Sequence, residues 1–428
     1  MANPIVTALR GKGVSTLIRR TGNLTRNYGL APDKLDRALK RFAAILDNFG
    51  CQATFPITAV ALGRNPSLIT VYQDRGIEFA VHGYRHVDYC QLDRQEQQTH
   101  IASAKALFDD AGIRARGFRG PYLHANDHTL FVVQEHGLAY DSSQGLAWDV
   151  LEGAETPAYR HVLGFYGALP ANEYPSLPTL QDGLVRIPYS LPDDEALANR
   201  LSLQTPEQMN TLWLAVLRRS YELGELFTVG LHPERTFICE APLIAVLSRA
   251  RQLDPPVWIA QLDEIAAWWQ ARTEATVNVR DVTENVFQVA INGPDGVSAL
   301  VRGVEVDVPV LPWADGYAKV QPSIFTVSAP LRPFVGLSPT TSPALRSFVQ
   351  QQGYVVEISE QRSCYACYVD QGDFTARDER RLLTQIEGGD GPMVRLGRWP
   401  NGARSALSIT GDIDALTLWD YGLRLFGK

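Results

Sequence analysis

From residue 32 to residue 272 short apolar segments alternate with amphipathic helical ones, and this rhythm constrains the fold more than any other feature of the chain. Between Pro32 and Asn48, residues Leu35, Leu39, Phe42, Ala43 and Leu46 share one helical face; Pro32 suits a first turn, and Gly50 follows the end. Cys51–Ile57 contains a strand, 66–75 reads as a short helix, and 76–81 as the next strand. Arg94–Ala111 is a polar helix with Ile101, Ala104 and Phe108 turned inward. Arg116–Arg119 is a strand that runs into a Pro turn, 128–136 is a helix stopped by Gly137, and 138–143 is a strand. Residues 150–183, rich in Pro, Gly and Tyr, read as a long loop over a site. Strands at 184–188, 226–232 and 256–259 then alternate with helices at 205–223 and 261–272. Such alternation means parallel βα units, and about seven of them favour an α/β barrel over a small open sheet.

The period changes after Arg272. Residues 276–310 alternate apolar and polar side chains around Asn292-Gly293-Pro294-Asp295-Gly296, a hairpin signal, which predicts a small β domain over 273–340. Residues 341–400 return to mixed character and read as a small α/β module. At 428 residues, 45% hydrophobic and 20% charged, the chain is an ordinary globular one with room for two or three domains. A net charge of −7 gives no reason to expect nucleic acid. No apolar run reaches the ~18 residues of a membrane span, and no secretory signal is expected at the N-terminus. Five cysteines, odd and few, argue for a reducing compartment and a cytoplasmic protein; Cys364-Tyr365-Ala366-Cys367 lacks a second pair to complete a zinc site. Residues 1–26 carry Arg10, Lys12, Arg19, Arg20 and Arg26 and no acid. The ordinary reading is a helix packed on the body of the protein with a solvated basic side. The alternative is a peripheral contact with an anionic membrane, shared with the apolar and basic tail around Trp419 and Arg424.

Chemistry concentrates at His82-Gly83-Tyr84-Arg85-His86. On a helical turn the two imidazoles would share one face with Cβ atoms roughly 5–6 Å apart, a spacing suited to one metal ion; it suits two ordinary histidines as well. The pair begins where a strand ends, a common place for open metal sites in α/β enzymes. A third ligand is needed, and residues 1–31 contain no Asp or Glu. The carboxylates lie at the far end of the chain, where the apolar run Ala406–Ile409 leads to Asp412 and Asp414. Two residues apart in extended chain, they point to one side, and such a pair can divide the work of metal ligand and proton acceptor. Asp-x-Asp is also common in plain turns.

Taken together, these stretches resemble the polysaccharide deacetylases of the NodB-homology type, carbohydrate esterase family 4. The resemblance rests on His82 to His86, on Arg119-Gly120-Pro121-Tyr122, on Gly230-Leu231-His232-Pro233, and on Trp268-Trp269 near the end of the matching region. Thr410-Gly411-Asp412-Ile413-Asp414 stands for the family's Thr-Phe-Asp-Asp, in a variant with a residue between the acids that occurs in some amide-hydrolysing members. The resemblance covers residues 30–272 and 400–428. It implies a distorted (β/α)7 barrel of the polysaccharide deacetylase type. The family's first strand comes last here, which implies a circular permutant: the main part of the barrel at 1–272, the β domain and α/β module inserted, and the first strand and helix at 401–428. Permutation is tolerated where the original termini lie close together.

By the same resemblance, Asp414, His82 and His86 hold a divalent metal, zinc in the first instance. Asp412 is the general base, Arg119 orients it, and His232 protonates the leaving amine. Pro121 and Tyr122 contact substrate, with the Tyr122 N–H toward the oxyanion. Asp193 or Asp194 is the candidate for the family's remaining motif. The implied activity is removal of N-acetyl groups from an amino sugar in a glycan or lipid-linked glycan. The rivals are hydrolysis of a non-sugar amide and a non-catalytic glycan-binding protein.

Overall fold

The computed structural model describes residues 28–203 and 205–425. The basic stretch 1–26, and with it the packing and membrane readings of that stretch, lies outside these residues. No helix among them is long and apolar enough to cross a membrane.

The first described helix, Asp33–Phe49, forms as its sequence dictates: Leu35, Leu39, Phe42, Ala43 and Leu46 are buried. Gly50, at φ 56°, closes it by donating its N–H to the Asp47 and Leu46 carbonyls. Eight strands then build a parallel sheet: β1 Thr54–Ile57, β2 Glu78–Val81, β3 Gly117–Phe118, β4 Tyr140–Asp141, β5 Leu184–Arg186, β6 Leu226–Leu231, β7 Val257–Ile259 and β8 Ser405–Gly411. Their spatial order is β6-β8-β1-β2-β3-β4-β5, each neighbour parallel, with β7 also on β8 and Thr179–Gln181 antiparallel to β5 at the edge. Every residue of β1, β6 and β8 is buried, as in strands covered on both faces.

The last strand of the chain is thus an inner strand of the sheet. β8 pairs with β6 from Leu226↔Ala406 to Leu231↔Gly411, and meets β1 at Thr54↔Thr410 and Ile57↔Ile413. The sheet bends until its far side returns to β6. There the Thr228 N–H donates to Ser190 Oγ at 3.2 Å, from the strand Tyr189–Leu191 that follows β5. This is a barrel-type α/β architecture. The closure depends on Gly230, because a Cβ there would lie 2.0 Å from the Tyr189 phenol oxygen. Gly230→Ala is therefore expected to destabilise the protein by about 1–3 kcal/mol, the usual range for overpacking, as a lowered denaturant midpoint. An unchanged midpoint would mean that Tyr189 moves aside at no cost.

Residues 150–183 are not a plain loop. They include the helix Pro157–Phe165, whose N-cap Thr156 accepts from the Tyr159 N–H at 3.1 Å, and short strands at Leu169–Pro170 and Thr179–Gln181. Pro157 opens the helix at a position where its missing N–H costs nothing, so a proline that suggested loop marks a helix start. The expected hairpin at 292–296 is also corrected. The hairpin lies earlier, between Thr276–Thr283 and Val286–Asn292, and turns at Glu284-Asn285 with Asn285 at φ 61°. Gly293–Gly296 instead carries the chain into a second sheet, and the Gly296 carbonyl accepts from the Asn401 N–H at 2.7 Å.

The strands of residues 273–400 cross the expected division at residue 340. Ala299–Arg302 pairs with Met393–Leu396, and Arg332–Leu337 is the middle strand between Val356–Ile358 and Tyr365–Val369. Residues 273–400 are tied to the barrel through tryptophans. The Trp268 indole donates to the Arg398 carbonyl at 2.9 Å, and that of Trp399 to Gly224 at 3.0 Å.

Candidate active site

Each candidate side chain follows the C-terminal end of a parallel strand: His82 after β2, Arg119 after β3, His232 after β6, Asp412 and Asp414 after β8. In a barrel these ends share one face of the sheet. The two histidines meet in a different way from the helical turn expected. Residues 82–86 form a bend, with Gly83 at φ 76°. A Cβ at Gly83 would lie 2.9 Å from both the Arg85 carbonyl and the Tyr89 ring, so only glycine fits. The His82 N–H donates to Ile57 O at 2.9 Å, the Tyr84 N–H to the Tyr89 hydroxyl at 3.2 Å, and the imidazole centroids come to 5.2 Å.

Asp414 completes the cluster. Its Oδ1 lies 3.4 Å from His82 Nε2 and 3.2 Å from His86 Nε2, and the three ligand atoms lie within 4.8 Å of one another. Two facts fit these residues to a metal. His82 Nδ1 lies 2.8 Å from the Arg119 carbonyl, which can only accept, so Nδ1 carries the proton and the Nε2 lone pair is directed at the cluster. Second, bonds of ~2.0–2.1 Å at a tetrahedral angle separate neighbouring ligand atoms by about 3.3 Å, close to both histidine–aspartate distances.

Arg119, fully buried, fixes the other carboxylate. Its Nη1 donates to Asp412 Oδ1 at 2.6 Å and to Thr410 Oγ1 at 3.0 Å. Its Nε and Nη2 donate to the carbonyl and hydroxyl of Ser142 at 3.1 and 3.0 Å, and its plane stacks on Tyr189 at 4.6 Å. A guanidinium held at every nitrogen presents one fixed edge to Asp412. His232 is organised by Asp194, which accepts from the backbone N–H at 2.9 Å and pairs with Nδ1 at 2.8 Å. Asp193 instead accepts from the Tyr189 hydroxyl and from the Ala196 N–H. Burial works to lower the His232 pKa, but the charge and hydrogen bond of Asp194 outweigh it and raise the group to about 10.

This raised pKa gives a test. In metal-free protein, the stability contributed by the Asp194–His232 pair is present in full below the ordinary histidine value of ~6.5 and is lost as pH rises through the folded value. The stability gap between wild type and Asp194→Asn should narrow between about pH 7 and pH 10 in urea melts. A gap constant across that window would show that His232 is neutral throughout.

Tyr122 and Leu123 both adopt left-handed backbone, at φ 62° and 59°, which costs of order 1–3 kcal/mol per residue and is a mark of functional segments. The turn is anchored by the Gly120 N–H on Ser143 Oγ at 2.8 Å. It sets the Tyr122 ring edge-on to His86, with centroids 4.5 Å apart and Pro121 buried beneath. The structure therefore brings His82, His86, Asp414, Arg119, Asp412, Pro121 and Tyr122 into one neighbourhood. Sequence reading did not single out Ser142, Ser143 or Tyr189 as supports; small hydroxyls and a tyrosine at strand ends carry no distinguishing pattern. The five cysteines are free thiols.

Residues 24–140 match the family model described as polysaccharide deacetylase. Over 106 residues the chain is 33% identical to the peptidoglycan deacetylase-like protein FGM2 of Gibberella zeae, a stretch that covers 24% of this chain and 31% of that protein. The chain thus spans about a third of the length of this curated relative. Among solved structures, a polysaccharide deacetylase from Mycobacterium smegmatis is 23% identical with a TM-score of 0.42, over 54% of this chain and 76% of that one. A second, from Pseudomonas aeruginosa PAO1, is 22% identical with a TM-score of 0.43, over 54% and 72%. This chain thus carries a segment, residues 24–140, that matches the polysaccharide deacetylase family model.

Proposed function

We propose that the protein is a metal-dependent N-deacetylase acting on an N-acetylated amino sugar within a glycan or lipid-linked glycan. The observation that carries this reading is the joining of a His82–His86–Asp414 cluster to a second carboxylate, Asp412, clamped by a buried arginine. A divalent ion held by the cluster, zinc in this reading, would acidify water and polarise an acyl oxygen. Asp412 takes the proton of the attacking water, and Arg119 holds it aimed. The Tyr122 N–H, presented by the left-handed turn, donates to the oxyanion. His232, protonated at both nitrogens through its pairing with Asp194, gives the Nε2 proton to the departing amine. The low cysteine usage fits a reducing compartment.

In the same reading the chain is a circular permutant of the family's domain. The barrel runs through 1–272 and resumes at 401–428, and 273–400 is an insertion whose strands form joint sheets across residue 340. The inner position of β8 and the motif order support it.

The test is acetate release from N-acetylglucosamine oligomers by metal-loaded protein, with elemental analysis in parallel. About one divalent ion per chain is expected, with loss of both metal and turnover in His82→Ala. Equal metal in wild type and His82→Ala would remove the ligand assignment. Metal-loaded protein that releases no acetate but opens a non-sugar amide would move the reading to that substrate class.

A further inference from the structure

A cavity of about 380 Å³ lies at the opposite end of β8 from Asp412 and Asp414. Its walls include residues 222–225 leading into β6, Arg398, Ala403 and Arg404 leading into β8, and Arg302, Trp313 and Arg395 of the inserted region. Acids and arginines line it in similar number, but the pairs do not cancel. Glu225 is bound by Arg380, and Asp315 by Arg404 at 3.0 Å. Glu222 and Asp390 stand exposed at the rim. Glu387 accepts from the Tyr317 and Tyr354 phenols and lies 3.3 Å from Arg395 and 3.7 Å from Arg302. Burial opposes its ionisation, but Arg395 and Arg398 bring it down to about 2, so it is a full negative charge already shared.

Arg398 is left over. It is 8% exposed and in no ion pair among the described residues. Its Nη1 donates to the Leu223 carbonyl at 3.1 Å, and its buried Nε–H meets no acceptor. The Nε–H of Arg302 is likewise buried without an acceptor. Behind them stands Arg272, 2% exposed, whose pKa burial together with Arg398 and Arg395 lowers to about 9. Arg395, Arg302 and Arg398 thus share the one charge of Glu387. A buried donor without a partner forfeits its hydration, and the loss is larger for a charged group. Planar guanidinium forks match the oxygens of phosphate, and an aromatic wall beside them offers a face to a ring.

We propose that this cavity binds a small phosphate-bearing organic molecule, its oxyanion held by Arg398 and Arg302 and its ring against Trp313. The site is separate from the candidate active site and does not depend on the deacetylase reading.

Calorimetric titration of the full chain with inorganic phosphate, at constant ionic strength in chloride, tests it. Saturable binding of one phosphate per cavity is expected, weakened by about tenfold or more in Arg398→Lys and in the less buried Arg302→Lys, each of which keeps the charge but loses the fork. Circular dichroism and metal content should be those of wild type in both. Glucose 1-phosphate should compete with inorganic phosphate and bind at least as tightly. Absence of saturable binding, affinity unchanged in both lysine variants, binding that vanishes only in His82→Ala, or failure of glucose 1-phosphate to compete would each overturn the proposal.

Discussion

Removal of residues 401–428 is expected to leave a chain that neither binds metal nor unfolds cooperatively. The segment supplies β8, whose seven residues are all buried and which bonds to β6, β7 and β1. It also supplies Leu407, Ile409, Ile413 and Leu416, each fully buried. Losing four such side chains at roughly 2–5 kcal/mol each forfeits on the order of 10 kcal/mol, comparable with the whole stability of a typical domain. Three strands, β6, β7 and β1, would also lose their partner in the sheet, leaving open edges that are a template for aggregation. Thermal unfolding by circular dichroism and elemental analysis would read both effects. A truncated chain that melts cooperatively and keeps its metal would refute the inner role of β8. The proposed permutation makes a companion prediction. A gene that begins near Arg398, runs to Lys428, continues through a linker into Met1 and ends near Arg272 should fold and bind metal without the insertion.

The second large effect separates the two aspartates. Asp412→Asn should retain metal and lose turnover by ~10²-fold or more, as for loss of a general base. Asp414→Asn should lose metal, since Asp414 alone of the pair lies against the histidines. In Asp412→Asn the buried Arg119 also loses its charge partner, so some destabilisation is expected; a modest fall in denaturant midpoint with metal content intact is the signature sought. Equal metal loss in both variants would mean that the two carboxylates serve the ion together.

The recurrence of apolar faces and strands through 32–272 was enough to read an α/β barrel, because each element must bury its own apolar side wherever it ends up. The helix 33–49 and the apolar run at 226–231 are legible for that reason. The candidate ligands were legible too, since imidazole and carboxylate at strand ends are chemically conspicuous. Less legible was how they meet. His82 and His86 converge through a glycine bend and not a helical turn, because Gly83 adopts a backbone that sequence spacing does not report. The turn at 292–296 has hairpin residues but joins two sheets, since partner choice belongs to the strands and not to the turn.

The sequence by itself therefore determined which elements form and which side chains have the chemistry for a site. Tertiary structure alone decided that β8 pairs with β6 as well as with β1, that Asp194 reaches His232, and that Arg398 is buried with no ion pair among the described residues. The physical reason is range. Periodicity and capping act over a few neighbouring residues, whereas a strand's partner and a charge's partner are set by burial of surfaces contributed from opposite ends of the chain.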